Sequence, residues 1–262
     1  MTIRYLTALV LASSLLALAA CGQKEDGATA ANPGGAEYVV GADAAYAPFA
    51  SENQQKQLVG FDIDTMQAVA EKAGIKIKII NTPFDGLFNA LIQGDRDILI
   101  STITINEQRK QSMAFSEPYF VARQLIVLPA NSKITSFDDL KSHKIGVQSG
   151  TTADEAAQKL IGKNSASVRR FESMPLAFQE LEGGGVDAVV GDNGVVTHFV
   201  KNNPGKNFRI VDDPGFPDEH YGIAVKKGNP ELLAKINYGL QQIKADGTQE
   251  RIYKKYFADN KQ

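Results

Sequence analysis

The sequence predicts an α/β protein of two lobes joined by two crossing strands. Strand-like and helix-like runs alternate from about residue 37 to residue 257, which is the pattern of α/β sheets. Between two strand-like crossings, Gln124 to Leu128 and Tyr221 to Val225, lies an α/β block of about 90 residues, enough for its own core. The chain returns from the second crossing to end in helices. One lobe is therefore interrupted by the other, with residues 37–125 plus 222–262 forming the first and 126–221 the second.

The elements follow from local pattern. Glu37 to Gly41 reads as a short strand. Ile63, Met66, Val69 and Ala73 recur at three- and four-residue spacing, which predicts an amphipathic helix over 61–73 closed by Gly74. Ile and Lys alternate over 75–80, as in a half-exposed strand. A helix over 85–93 and a strand over 97–100 follow. In the block, strands are read at 144–148, 168–171 and 186–190. The helix over 152–161 is closed by Gly162, and Pro175 opens another. The last two helices cover 230–244 and 248–257.

The first 36 residues have a different character. Arg4 precedes an uncharged Leu/Ala/Val run, Leu6 to Ala20. That run is shorter than the roughly 20 residues that span a bilayer but suits an export signal. It ends in Leu18-Ala19-Ala20-Cys21, which resembles a bacterial lipobox and implies cleavage after residue 20 and lipidation of Cys21. Cys21 is the only cysteine, so no internal disulfide forms, and acylation removes a lone thiol from an oxidising compartment. From Gly22 to Ala36 no aromatic or large aliphatic residue occurs, so residues 21–36 read as an anchor and tether.

Composition excludes several classes. Removing residues 1–20, which carry one Arg and no acid, takes the formal charge from −2 to −3. No basic block exists for nucleic acid. Three scattered histidines and one cysteine offer no zinc set, and no metal or cofactor is expected.

Candidate binding residues cluster after strands. Asn106 reads as an N-cap that puts Arg109 in a first helical turn, where a cation opposes the helix dipole. A bound anion would relieve that conflict, and a guanidinium pairs with a carboxylate through two parallel bonds; a solvated arginine is the alternative. Gln148 to Glu155 follows a strand and opens a helix, with Thr152 and Glu155 spaced as a capping box and Gly150 allowing close approach. Asp192 lies just past an apolar strand, placed either to receive an ammonium group or to cap the next helix. Asp43 and Tyr46 share one loop and Phe84 another, together an aromatic slot with an acidic end, or else two core rings.

These segments, in this order, resemble the polar amino-acid class of extracytoplasmic solute-binding proteins of ABC transporters. The resemblance rests on Asp43-Ala44-Ala45-Tyr46-Ala47-Pro48-Phe49, Gly60-Phe61-Asp62-Ile63-Asp64, Thr102-Ile103-Thr104 with Arg109, Phe115-Ser116-Glu117-Pro118-Tyr119, and Gly146-Val147-Gln148-Ser149-Gly150-Thr151. It implies a two-lobed periplasmic-binding-protein fold that closes over an amino acid outside the cytoplasmic membrane. By that resemblance Arg109 pairs with the ligand carboxylate, aided by Thr104 and Thr152, and Asp192 and Thr102 hold the ammonium group. Asp43, Tyr46, Asp62, Phe84, Ser101 and Gln148 would line the side-chain pocket. Asp62 could instead cap the helix that follows it.

The expected partners are the amino acid, the membrane permease of an importer, and a membrane reached through the lipid on Cys21. The protein is expected to work as a monomer. Two aspartates in the side-chain pocket favour a cationic ligand, arginine or lysine, because a buried charge needs a partner; glutamine and histidine are the alternatives. Some relatives of this fold are dehydratases of the cyclohexadienyl type. That chemistry needs a general acid in the cleft, and no carboxylate is left over for it.

Overall fold

The computed structural model describes residues 37–258. The export signal, Cys21 and the tether lie outside the described residues. Eight α-helices occur among them: α1 (Phe61–Ala73), α2 (Phe84–Gln93), α3 (Glu107–Lys110), α4 (Thr152–Ile161), α5 (Met174–Glu182), α6 (Asn193–Asn202), α7 (Pro230–Ala245) and α8 (Thr248–Phe257). None of the described helices is long and apolar enough to cross a membrane.

Two five-stranded sheets share one plan. In the first, Tyr38–Ala42 lies between parallel neighbours Ile77–Asn81 and Ile98–Leu99, and antiparallel Ala224–Lys226 and Met113–Phe115 complete the far edge. In the second, Ile145–Gln148 lies between parallel Val168–Phe171 and Ala188–Asp192, followed by antiparallel Gln124–Pro129 and Phe208–Val211. Each sheet thus has a parallel α/β half, whose strand ends point loops toward the cleft.

The crossing between the lobes lies a few residues earlier than the sequence pattern suggested. Gln124–Pro129 is a strand of the second sheet, with Ile126, Val127 and Leu128 fully buried. Ala224–Lys226 belongs to the first sheet. The connecting ribbon is the antiparallel pair Phe120–Ala122 and Glu219–Tyr221. An apolar strand reads the same wherever it sits, so burial in a sheet, absent from the pattern, decided the point.

Ring packing fixes this ribbon to the first lobe. Phe49 meets Phe61, Phe120 and Tyr221 edge-on at centroid distances of 5.9, 5.1 and 5.8 Å, and Phe257 of α8 closes the cluster at 5.3 Å. Aromatic pairs in such geometry add roughly 0.5–1.5 kcal/mol beyond the area they bury. The last helices are held by α1 against α7, where Gly239 lets the backbones approach: a Cβ there would stand 2.5 Å from the Val69 carbonyl oxygen.

Several helix ends match their sequence signals. Gly74 closes α1 in the left-handed conformation, φ 64°, with its backbone N–H returned to Ala70 and Glu71. The N-cap of α4 is Thr151, one residue before the expected Thr152; its hydroxyl accepts from Asp154 N at 3.2 Å. That shift leaves the Thr152 hydroxyl free to serve the cleft.

Candidate ligand-binding site

The cleft between the sheets narrows to a cavity lined by Tyr46, Phe84, Thr102, Thr104 and Arg109 from one side and Gln148, Thr151, Thr152 and Asp192 from the other. All of these except Thr151 were expected from the sequence. The cavity is narrow, with room of about 10 Å³, the scale of a single water.

Arg109 marks one end. Asn106 caps α3 by accepting from the Arg109 backbone N–H at 2.8 Å, which fixes where the side chain leaves the helix. The guanidinium donates to the Thr104 carbonyl at 3.0 Å and across the cleft to the Gly150 carbonyl at 3.2 Å. It lies over the Phe88 and Phe84 rings, 5.2 and 5.9 Å from their centroids. Burial pulls its pKa down, while Glu155, Glu219 and Asp192 push it back, so the group remains a cation. Its further N–H groups suit a carboxylate.

Asp192 marks the other. It ends the strand Ala188–Asp192 and stands at the N-cap of α6, yet its side chain makes no cap bond. The carboxylate instead accepts from Tyr46 Oη at 2.7 Å and Gln124 Nε2 at 2.6 Å. Burial, then the nearby Glu219 charge, pushes its pKa up to about 6. A cationic group beside it would relieve that unfavourable placement. Phe84 and Tyr46 line the same cavity, Phe84 under the Arg109 guanidinium and Tyr46 bonded to Asp192.

Asp43 and Gln148 meet across the cleft. Gln148 Nε2 donates to Asp43 Oδ2 at 2.8 Å and to the Glu172 carbonyl at 3.1 Å. Burial raises the Asp43 pKa against the opposing effect of the Ala45 N–H and Gln148 bonds. The Gln148 Oε1 atom is buried without a partner among the described residues. Ser101 stands behind this pair, its hydroxyl accepting from Asp43 N at 3.1 Å.

Asp62 departs from the expected pocket position. It is fully buried, and its two oxygens accept from Thr102 N at 2.9 Å and Tyr119 Oη at 2.9 Å. Nor does it cap α1, whose N-cap Gly60 has no side-chain bond. Its carboxylate holds the backbone of Thr102, a β-branched residue at φ 49°. Such a conformation persists only where its surroundings enforce it.

Two residues of the cleft floor were missed. Gln124, at the start of its strand, has two amide protons to give to Asp192 and to Glu219 at 3.1 Å, and the Thr152 hydroxyl lies 3.2 Å from the same nitrogen. Glu219, on the connecting ribbon, accepts from the hydroxyls of Thr104 and Thr152, the latter at 2.9 Å. The signal for Glu219 was its two-residue offset from Tyr221 in a strand, which puts both on one face. No group of three or more His, Cys, Asp or Glu among the described residues could hold a metal.

Comparison with known proteins identifies the family. Residues 38–259 match the family described as bacterial extracellular solute-binding proteins, family 3. The chain is 45% identical over 254 residues to a probable histidine-binding protein of Neisseria gonorrhoeae, covering 96% of this chain and 94% of that one. It is 34% identical over 226 residues to the L-arginine-binding protein of Pseudomonas aeruginosa, covering 84% and 87% respectively. Among solved structures, the arginine-, lysine-, histidine-binding protein ArtJ of Geobacillus stearothermophilus superposes with a TM-score of 0.83 at 42% identity, over 86% of this chain and 96% of that one. Matched over residues 38–259 and 45% identical to a relative along nearly its whole length, this chain belongs to the family 3 bacterial extracellular solute-binding proteins.

Proposed function

We propose that the protein captures a basic L-amino acid, arginine or lysine, outside the cytoplasmic membrane and hands it to the permease of an ABC importer. The observation that carries this reading is one cavity lined by both a buried guanidinium, Arg109, and a buried carboxylate, Asp192. A zwitterion satisfies both at once, its carboxylate on Arg109 and its ammonium on Asp192. Asp43 with the unpartnered Gln148 oxygen supports a side chain that brings N–H donors. Closure follows from contacts that a ligand makes with both lobes at once. No covalent step is required, and the relatives named above are binding proteins.

The lipid on Cys21, if attached, would hold the protein at the outer face of a membrane while the tether lets the lobes reach the permease. Histidine is the second reading, favoured by the name of the 45% identical Neisseria protein. The test is thermal melting of residues 22–262, stripped of ligand by unfolding and refolding, against each amino acid. A rise with arginine or lysine supports the first reading. A rise with histidine or glutamine alone transfers the function to that ligand, and no rise with any refutes amino-acid capture.

A further inference from the structure

Among the buried carboxylates of the described residues, only Asp62 has no solvent exposure: 0%, against 3–9% for Asp154, Asp43, Asp192 and Glu219. Such a group is costly to bury unless its oxygens are well used. Its two bonds come from Thr102 N and Tyr119 Oη, neither of them a cation. Burial raises its pKa in spite of both. The cavity lining includes Thr102 and not Asp62, so this carboxylate reaches the site only through what it holds.

What it holds is a strained piece of wall. Three non-glycine residues among those described have positive φ: Lys56, Thr102 and Asn207. Lys56 and Asn207 are exposed; Thr102, at φ 49°, is buried and lines the cavity. A β-branched residue in the left-handed region is strained and stays there only when its surroundings hold it. The flanking residues are anchored too, since Ser101 Oγ accepts from Asp43 N and the Ile103 carbonyl accepts from Gly222 N. The Thr102 hydroxyl donates to the Ser101 carbonyl at 2.7 Å, which leaves its oxygen an acceptor. Without Asp62, Thr102 N would be a buried donor with no partner, in a conformation that costs free energy to keep.

We propose that Asp62 is a positioning residue of the amino-acid site: by accepting from Thr102 N it keeps Thr102 in the left-handed conformation that shapes the first-lobe wall of the cavity, so affinity depends on a carboxylate outside the lining. This rests on the amino-acid reading and adds a residue to it. With Asp62 removed, Thr102 relaxes, and a ligand binds only by restoring the strained wall, which weakens its affinity. Glycine at position 102 adopts that backbone without strain, so there the carboxylate has little left to hold.

A double-mutant cycle separates this role from a general one in the fold. Dissociation constants for L-arginine, or for L-histidine if that is the ligand, are measured by calorimetry on wild type, D62A, T102G and the double variant. Relative to wild type, D62A weakens binding by about tenfold or more; relative to T102G, the double variant loses no more than about threefold. Asp62→Asn, whose amide oxygen still accepts from Thr102 N, recovers the affinity lost in D62A to within about threefold. Equal losses in the two backgrounds, the mark of a merely structural role, overturn the proposal. So does failure of both D62A and the similar-sized D62L to fold, which would make Asp62 a folding residue. A wild type that binds no amino acid refutes the amino-acid reading and this proposal with it, whereas binding with equal losses refutes the proposal alone.

Discussion

The Asp62 carboxylate gives the protein a pH-dependent stability whose size the structure sets. Burial raises its pKa from 3.8 to about 7, with the Tyr119 and Thr102 bonds only partly offsetting the desolvation. Because the folded pKa lies above the unfolded one, the native state holds the proton more tightly. Stability from this group is then fully present below pH 3.8 and is lost progressively as pH rises to about 7. At 1.36 kcal/mol per pKa unit, the loss between pH 5 and pH 8 is on the order of 2–3 kcal/mol. Asp192, raised to about 6, adds a smaller loss of the same sign. Asp62→Asn removes the titration while keeping the geometry: the amide oxygen accepts from Thr102 N and the amide nitrogen can donate to Tyr119 Oη. Urea unfolding of ligand-free protein at pH 5, 6.5 and 8 measures the effect. The wild type should lose stability more steeply than the variant by roughly the amount above. Parallel curves for the two proteins would refute the assignment of a buried, proton-binding Asp62.

Three further outcomes are expected. Arg109→Ala should weaken amino-acid binding by about a hundredfold or more in calorimetry, since a buried charge pair loses its cation; its circular dichroism spectrum should be unchanged. Asp192→Asn should weaken binding by roughly tenfold or more through the lost ammonium partner, and a variant that binds like wild type would move the ammonium site elsewhere. Gly239→Ala should lower stability by about 1–3 kcal/mol in urea unfolding although alanine favours helix, because its Cβ would stand 2.5 Å from the Val69 carbonyl oxygen; a stabilised variant would show that α1 and α7 can part at no cost.

What the sequence made legible, and what it hid, divides by the distance over which a residue finds its partners. The ends of α1, α3 and α4 follow from Gly74, Asn106 and Gly162, whose roles depend on neighbours within four residues. The alternation of strands and helices was legible for the same reason. Arg109 stood out through an expected first-turn conflict with the helix dipole, but α3 is a single turn whose last turn also holds Arg109, so that conflict is absent. Asp62 was misplaced because both its partners, Thr102 and Tyr119, lie 40 and 57 residues along the chain. Local reading saw only a carboxylate near a helix start.

Glu219 is the sharper case. Its neighbours Asp218 and His220 give it the look of a solvated turn, and His220 is in fact exposed. A strand, however, alternates its faces, so the exposure of His220 is the reason Glu219 and Tyr221 turn inward. The Tyr221-to-Val225 apolar run announces that strand, and extending its two-residue period backward lands on Glu219. What no period could supply is that Thr104 and Thr152, 115 and 67 residues away, bring their hydroxyls to that carboxylate. Only the meeting of two lobes at a ribbon creates the group, so a local reading of the sequence passes over it.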